Sequence, residues 1–341
     1  MGISVLGAAV NAVAPVVLLI LLGYWLKCRG FLSAAFLKNG NWLVFHVCLP
    51  VMLFLNVYDI ETFSDIPWEM VLYCVAVVLL IFVLGLVTAV AVTPEPRRRG
   101  VIWQSTFRSN FAILGIALAE ALGGAEASAL VAVTSSFVIP VFNVLGVVSL
   151  SVFADPHSRQ AHSLGRVLKN IAQNPLILGA VLGMVCVACR EGQRMVFGEV
   201  VFSLKAQAPF VYKALQNLKS VTTPLALLIL GGQFAFSAVR GLFREILTGT
   251  LWRIVLAPVL GIGGAWLLTQ AGVLACGVNE YPTLIALFGS PAAVSSAIMA
   301  GQMDGDEQLA TQIVVWSSLL SVLTIFSQVC LLMQLGLLAI P

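Results

Sequence analysis

The chain has 341 residues, of which 60% are hydrophobic and only 10% are charged, and its formal net charge is +3. A mean hydropathy of +1.02 excludes an ordinary soluble globular protein, in which about a quarter of the residues are charged. The composition therefore predicts a protein embedded in a lipid bilayer, and nothing in it favours a nucleic-acid partner.

Long apolar segments recur along the chain, each close to the roughly 20 residues that cross a hydrocarbon layer of about 30 Å. Such segments favour α-helices, which satisfy their own backbone hydrogen bonds, so we expect an all-α integral membrane protein. Lys27 and Arg29 follow the first segment and no basic residue precedes it, which indicates a retained span rather than a cleaved signal peptide. We predict ten transmembrane helices, near residues 8–26, 40–58, 69–92, 101–122, 127–152, 169–189, 221–239, 250–271, 281–301 and 311–337.

Basic residues are distributed unevenly among the predicted loops. The odd-numbered loops carry 13 of the 18 Lys and Arg residues, counting Arg108 just inside span four and Arg253, which we assign to the seventh loop. The sixth loop holds the other five and is an exception. Because basic residues are enriched in cytoplasmic loops, we expect the odd-numbered loops in the cytoplasm and both termini outside.

Short patterns in the first half of the chain recur in the same order in the second half. The matched pairs are Ala14-Pro15 with Asn174-Pro175, Gly23 with Gly183, Leu49-Pro50 with Thr223-Pro224, and Ser135-Ser136 with Ser317-Ser318. Since each half has five spans, an odd number, the two repeats are expected to lie inverted in the membrane. We predict a first repeat over 1–153, a cytoplasmic linker over 154–168 and a second repeat over 169–341.

Two predicted spans, the fourth of each half, are interrupted by residues that disfavour a continuous helix. Span four contains 108–115 with Ser109, Asn110 and Gly115, and span nine contains 288–296 with Ser290-Pro291. Broken helices survive at membrane depth only where the backbone faces protein or a wet cavity. Paired breaks in two repeats are the best sequence pointer to a transporter's substrate site, so we expect broken helices four and nine to cross there.

The residues available for this site favour an anion. None of the 15 acidic residues falls in the middle of a predicted span, which disfavours a cation site built on buried carboxylates. Neutral polar side chains, the backbone amides of the Ser290–Ser296 stretch and the positive ends of half-helix dipoles favour a negative charge. The candidate substrate-binding residues are Arg108, Ser109, Asn110, Gly115, Ser290, Pro291, Ser295 and Ser296.

Structural alternatives exist for some of these polar residues. Arg108 could lie at the membrane interface with its charge in water, and Ser317 and Ser318 are expected to bond within or between helices rather than to a substrate. The chain shows no metal-ligand spacing, phosphate-binding loop or dinucleotide fingerprint. We therefore predict no metal, no cofactor and no enzymatic activity.

Over nearly its whole length the chain resembles the auxin efflux carrier family, in its bacterial branch of malate and malonate permeases. The similar stretches include 19–24, 49–54, 109–111, 174–177, 223–231, 290–292 and 306–310. The resemblance implies a fold like that of bile-acid symporters, with spans one, two, six and seven as a scaffold and the others as a moving part. It also implies a bacterial inner membrane as the location and organic-anion substrates near the crossing, and it carries the family's asparagine and proline over to Asn110 and Pro291.

These observations predict a secondary transporter that moves small organic anions, either dicarboxylates or auxin-like carboxylates, by alternating access. One alternative is a sodium- or proton-coupled symporter on the same fold. Another is a membrane sensor or a channel on that fold. A homodimer is left open.

The loop charges lead to a prediction about orientation. A reporter that is active only in the cytoplasm should be silent when fused after Pro341 and active when inserted near Arg98, because basic loops stay in the cytoplasm. Reporter activity in intact cells measures both positions. An active fusion after Pro341 would contradict the ten-span topology.

Overall fold

The computed structural model describes residues 2–60, 67–153 and 164–338, and within these ranges every regular element is a helix. The first part of the chain forms α1 (Gly2–Cys28), α2 (Ala34–Tyr58), α3 (Trp68–Val92), α4 (Pro96–Phe107) and α5 (Phe111–Val152). The second part forms α6 (Leu164–Gln173), α7 (Pro175–Phe197), α8 (Leu204–Gln207), α9 (Pro209–Gln233), α10 (Phe236–Gln270), α11 (281–289), α12 (Val294–Gln302) and α13 (Glu307–Gln334).

Within the described residues, six helical stretches are long and apolar enough to cross a membrane. They lie in α2, α3, α5, α7, α10 and α13, which correspond to predicted spans two, three, five, six, eight and ten. The other four predicted spans are also largely helical, but spans four and nine are interrupted, and α9 ends at Gln233, six residues before the predicted end of span seven. A multi-pass helical membrane protein is therefore confirmed, and the count of ten stays a prediction.

A sharp kink divides the long helix α5 at the point where the sequence predicts a loop between spans four and five. Gly124 has φ 68° and ψ −155°, outside the helical region. A positive φ of this size is unstrained only for glycine. The chain therefore turns here within a single residue.

Backbone contacts between glycine and a neighbouring helix hold pairs of helices from the two halves together. A Cβ on Gly23 of α1 would lie 2.1 Å from the carbonyl oxygen of Leu228 in α9. A Cβ on Gly183 of α7 would lie 2.8 Å from the carbonyl oxygen of Phe54 in α2. Small residues permit this close approach in membrane helices. The two glycines that match in the sequence repeat thus have the same packing role.

The basic residues of the sixth loop are tied to the end of α2. The Arg190 guanidinium donates to the carbonyl oxygen of Tyr58 and lies 4.5 Å from the centroid of its ring. Lys205 and Lys219 lie 3.2 Å and 3.7 Å from the carboxylate oxygens of Asp59. Cations are favourable at a helix C-terminus. These partners give Arg190, Lys205 and Lys219, three of the five basic residues of the sixth loop, a structural reason that is independent of the positive-inside rule.

The close contact of Gly23 in α1 predicts that one added methyl group strongly lowers the stability of the protein. Gly23→Ala should lower the unfolding temperature in detergent, because overpacking costs about 1–3 kcal/mol and the contacted atoms are backbone. Gly192→Ala in α7 is the matched control, since no atom lies within 4 Å of its added Cβ, and it should be neutral or slightly stabilising. Equal unfolding temperatures for Gly23→Ala and the unaltered protein would refute this account of the packing.

Candidate functional site

Two helix interruptions meet in the interior of the protein. We call 108–110, between α4 and α5, the first break, and 290–293, between α11 and α12, the second break. The breaks run antiparallel with Ser109 opposite Ala292. The Asn110 N–H donates to the Pro291 carbonyl at 2.8 Å, and the Ala293 N–H donates to the Arg108 carbonyl at 3.1 Å. The predicted crossing of the two interrupted stretches is confirmed.

Several backbone N–H groups in and next to the second break already have hydrogen-bond partners. The Ala292 N–H donates to the Ser317 hydroxyl at 3.1 Å, the Ala293 N–H is used in the crossing, and the Ser296 N–H donates to the Ala293 carbonyl at 2.9 Å. The expectation that the Ser290–Ser296 stretch offers free amides is therefore wrong at these positions. The physical reason is that buried backbone groups need hydrogen-bond partners within the protein where no water reaches them. Ser317, expected to bond within or between helices, does so here and holds the second break in place.

Arg253 lies between the C-terminal ends of the two helices that lead into the breaks. Its side chain is fully buried. It donates to five carbonyl oxygens, those of Thr106 (3.2 Å), Phe107 (3.0 Å), Leu287 (3.4 Å), Phe288 and Ser290 (3.1 Å). Carbonyls at a helix C-terminus have no partner within the helix, and a cation there offsets the negative end of the helix dipole. One guanidinium therefore donates hydrogen bonds to the C-terminal ends of both helices that lead into the breaks.

The loop position predicted for Arg253 is wrong. Arg253 was assigned to the seventh loop, but it lies inside α10, a helix apolar enough to span a membrane. A usable signal was present, because Arg253 is flanked on both sides by apolar residues, 251–252 and 254–257. An arginine within an apolar segment at membrane depth is expected to have a functional or structural partner.

A small cavity borders the crossing. Its volume is about 40 Å³, enough for roughly three water molecules. Its polar lining comes mainly from the first break, α5 and α12 with Arg108, Ser109, Asn110, Asn143 and Ser295, and α9 adds Thr222 and Thr223. The facing helices α2, α7 and α9 contribute mainly apolar residues, among them Leu49, Met52, Leu53, Leu176 and Ala226.

The polar lining supplies hydrogen-bond donors without an acid. Arg108 is only 3% exposed, so a position at the membrane interface is excluded. Its guanidinium donates to the Asn143 amide oxygen at 2.7 Å and to the Ser295 hydroxyl at 3.1 Å. The amide nitrogens of Asn110 and Asn143 and the hydroxyl of Ser109 are buried with no partner among the described residues. Unpaired buried donors are costly, and a negatively charged group would satisfy them.

Of the eight predicted site residues, Arg108, Ser109, Asn110 and Ser295 line this cavity. Ser290 and Pro291 lie in the second break, where the Ser290 hydroxyl donates to the Ala286 carbonyl at 2.6 Å. The buried Ser296 hydroxyl has no partner among the described residues and does not line the cavity.

Gly115 and Asn143 differ from the sequence-based assignment. Gly115 lies within α5, where an added Cβ would be 2.8 Å from the Phe111 ring and 3.2 Å from Val131. This glycine therefore permits close side-chain packing away from the cavity. Asn143, which lines the cavity, was missed as a site residue, although an asparagine inside an apolar span is a usable signal.

A second, larger pocket lies at one end of the same helices. It has a volume of about 410 Å³ and we call it the vestibule. Its polar lining comprises His46, Ser151, Asn170, Gln173, Asn174, Gln302 and the acidic Asp304. These residues lie in or next to α2, α5, α7 and α12, a short distance along the chain from residues that line the cavity at the crossing.

The contacts of Arg253 predict that its loss destabilises the protein. Arg253→Met should lower the unfolding temperature strongly, because each buried carbonyl left without a partner costs about 1–3 kcal/mol. Arg253→Lys should recover part of the loss, since the ammonium keeps the charge and up to three donors. Arg240→Met, at an exposed position of α10, is the control. Tryptophan fluorescence during heating measures the effect, and an unchanged Arg253→Met protein would contradict it.

Comparison with known proteins shows the family of this chain. A family described as "Membrane transport protein" matches residues 8–327. An uncharacterized transporter from Methanocaldococcus jannaschii is 24% identical over 325 residues, which cover 92% of this chain and 96% of that protein. The chain belongs to the membrane transport protein family, the auxin efflux carrier-like family that its sequence resembles.

Proposed function

We propose that this membrane transporter is a secondary carrier of small organic anions that works by alternating access, with its substrate site at the crossing of the two breaks. The observation that carries the proposal is the set of donors around the cavity. Arg108, Ser109, Asn110 and Asn143 present donor groups there, and no acidic residue lines it. A carboxylate accepts several such hydrogen bonds, and bonds to charged groups are the strong ones.

The distribution of polar groups favours a substrate with one carboxylate and an apolar remainder. The donors are concentrated at the first break and on α5, whereas Leu49, Met52 and Leu53 of α2 offer only apolar surface. Thr222 and Thr223 of α9 are neutral, and the Thr222 hydroxyl already donates to the Leu218 carbonyl at 2.8 Å. A second carboxylate would be buried without a charged partner, which is costly. Auxin-like carboxylates are thus favoured over dicarboxylates.

Substrate entry requires the helices around the cavity to separate. At about 40 Å³ the cavity holds only a few waters. We assign α1, α2, α7 and α9 to a scaffold and the helices that carry the breaks to a moving part. The vestibule lies between these two groups and would be the entrance, on the cytoplasmic side in the proposed orientation with both termini outside. The equivalent packing of Gly23 and Gly183 supports the two inverted repeats that this motion requires.

A sensor or a channel on the same fold is the competing function. Purified protein in liposomes separates the possibilities, because a carrier shows saturable counterflow and a channel shows conductance that does not saturate. The paired breaks favour the carrier, since such breaks mark the sites of secondary transporters.

Asn110 gives the first test of the site. Asn110→Ala should weaken binding of phenylacetate about 10- to 100-fold, because a hydrogen bond to a charged ligand contributes about 1.5–3 kcal/mol. Binding is measured by titration of the purified protein, with malonate as the dicarboxylate for comparison. Ser318→Ala, on α13 and outside the cavity lining, should bind like the unaltered protein. Unchanged affinity of folded Asn110→Ala would place the site elsewhere.

The absence of acids from the cavity lining predicts sodium independence. Uptake of labelled phenylacetate into proteoliposomes should be equal in potassium-only and sodium-containing buffers. Liposomes without protein provide the background that is subtracted. A loss of more than about tenfold without sodium, about 1.4 kcal/mol of coupling, would instead support a sodium-coupled symporter.

A further inference from the structure

One side of α9 is polar between the outer end of the helix and the cavity at the crossing. Four residues at intervals of three and four positions form what we call the polar face: Lys213, Gln216, Ser220 and Thr223. This spacing places side chains on one side of a helix. The first three side chains are exposed, and Thr223, which lines the cavity, is half-buried.

Contacts with α2 show the depth of the polar face. The Tyr212 hydroxyl donates at 2.8 Å to the carboxylate of Asp59, which directly follows α2. The Thr222 hydroxyl lies 3.2 Å from the Cys48 carbonyl, well inside the same helix. At a rise of about 1.5 Å per residue, the path from Tyr212 to Thr223 measures about 16 Å. The polar face therefore connects the outer end of the scaffold with the cavity.

Water suits the exposed part of the polar face better than lipid does. Polar side chains at membrane depth usually face protein or a water-filled cavity, and the exposed Gln216 and Ser220 are not packed into protein. The neighbouring Leu218 and Val221 are 38% and 51% exposed and give α9 an apolar surface that suits lipid. The Ser220 hydroxyl donates to the Asn217 carbonyl at 2.7 Å, so Ser220 offers a small polar surface and not a strong ligand.

The outer end of the polar face favours a negative charge. Lys205 and Lys219 lie 3.2 Å and 3.7 Å from the carboxylate oxygens of Asp59. Lys213 is exposed and forms no ion pair with any residue that the structure describes. A basic residue at the mouth of a polar path raises the local concentration of anions.

A long contact joins the scaffold and the moving part on the outer side of the cavity. The Ser136 hydroxyl of α5 lies 3.5 Å from the Asn56 carbonyl of α2, and it lies closer, at 3.0 Å, to the Ala132 carbonyl of its own helix. Ser136 and Asn56 are each one turn along the chain from residues that line the cavity, Ile139 and Leu53. Because a hydroxyl has one hydrogen to donate, α2 and α5 are weakly joined here.

We propose that the polar face of α9 lines the route between the cavity and the extracytoplasmic side, and that Lys213 attracts the anion at its outer end. The inference rests on the proposed carrier function and supplies the half of the route that lies opposite the vestibule. Separation of α5 from α2 at Ser136 would open the cavity to this route. Lys213 thereby gains a role that the positive-inside rule does not provide.

Thiol labelling tests whether water reaches the polar face. Ser220→Cys is introduced into a chain whose seven native cysteines are replaced by alanine, and right-side-out membrane vesicles receive a charged, membrane-impermeant thiol reagent from outside. Ser220→Cys should react at least about tenfold faster than Val221→Cys, the matched control on the apolar surface, because the thiolate is the reactive form and apolar surroundings suppress it. Labelled Ser220→Cys should lose counterflow of phenylacetate.

Charge reversal at Lys213 tests the outer end in the chain with its native cysteines. Lys213→Glu should lower initial uptake of phenylacetate into right-side-out vesicles by about two- to fivefold at low ionic strength and low substrate concentration. High salt should remove most of this loss by screening, and uptake at saturating substrate should be unchanged. Lys213→Arg keeps the charge and should behave like the unaltered protein, as should Lys38→Glu at an exposed position near the start of α2.

Two results would overturn the proposed route. One is equally slow labelling of Ser220→Cys and Val221→Cys, which would show that lipid or a second copy of the chain covers the polar face. The other is uptake by Lys213→Glu that equals that of the unaltered protein at low ionic strength. Absence of saturable counterflow for phenylacetate and malonate would instead refute the carrier function, and the labelling, which needs no transport, separates the two failures.

Discussion

Pairing of backbone groups at the two breaks is the constraint on which the rest of the structure depends. Each break frees backbone carbonyl oxygens and N–H groups, and lipid offers them no partner. The chain meets this requirement with two inter-break hydrogen bonds, the Ser317 hydroxyl and the Arg253 guanidinium. Because Arg253 bonds to both incoming helices, α4, α11 and α10 are tied into one unit. A conformational change must then move this unit as a whole.

The same pairing determines the electrostatics of the cavity. Arg253 is occupied by carbonyl oxygens and offsets the negative helix ends behind the crossing. Arg108 is bonded only to neutral groups, and no acid lines the cavity beside it. The burial of two arginines without a carboxylate leaves an environment that a bound anion would stabilise. The anion preference that we propose would therefore follow from how the breaks are held, and not from one binding residue.

Local sequence predicted the parts of this structure that depend on local chemistry. Ser290 and Pro291 in an apolar segment, and Ser109 and Asn110 in another, marked the breaks because such residues disfavour a continuous helix. The sequence could not show which backbone groups would be paired, since the partners come from distant helices. Arg253 was placed in a loop because loop assignment treats any charge as exposed. Only the three-dimensional arrangement shows that backbone carbonyl oxygens at two helix C-termini bind this buried cation.

The contacts of Glu307 could not be predicted for a related reason. It begins a helix beside other acids, a position that resembles an ordinary loop, and its partners Asn41 and Gln233 are far away in the sequence. Only the folded chain brings these two amides to one carboxylate oxygen, because they come from α2 and α9 and the carboxylate from α13. Local sequence therefore locates the interruptions of the helices, whereas the polar contacts that join separate helices follow from the packing of the whole chain.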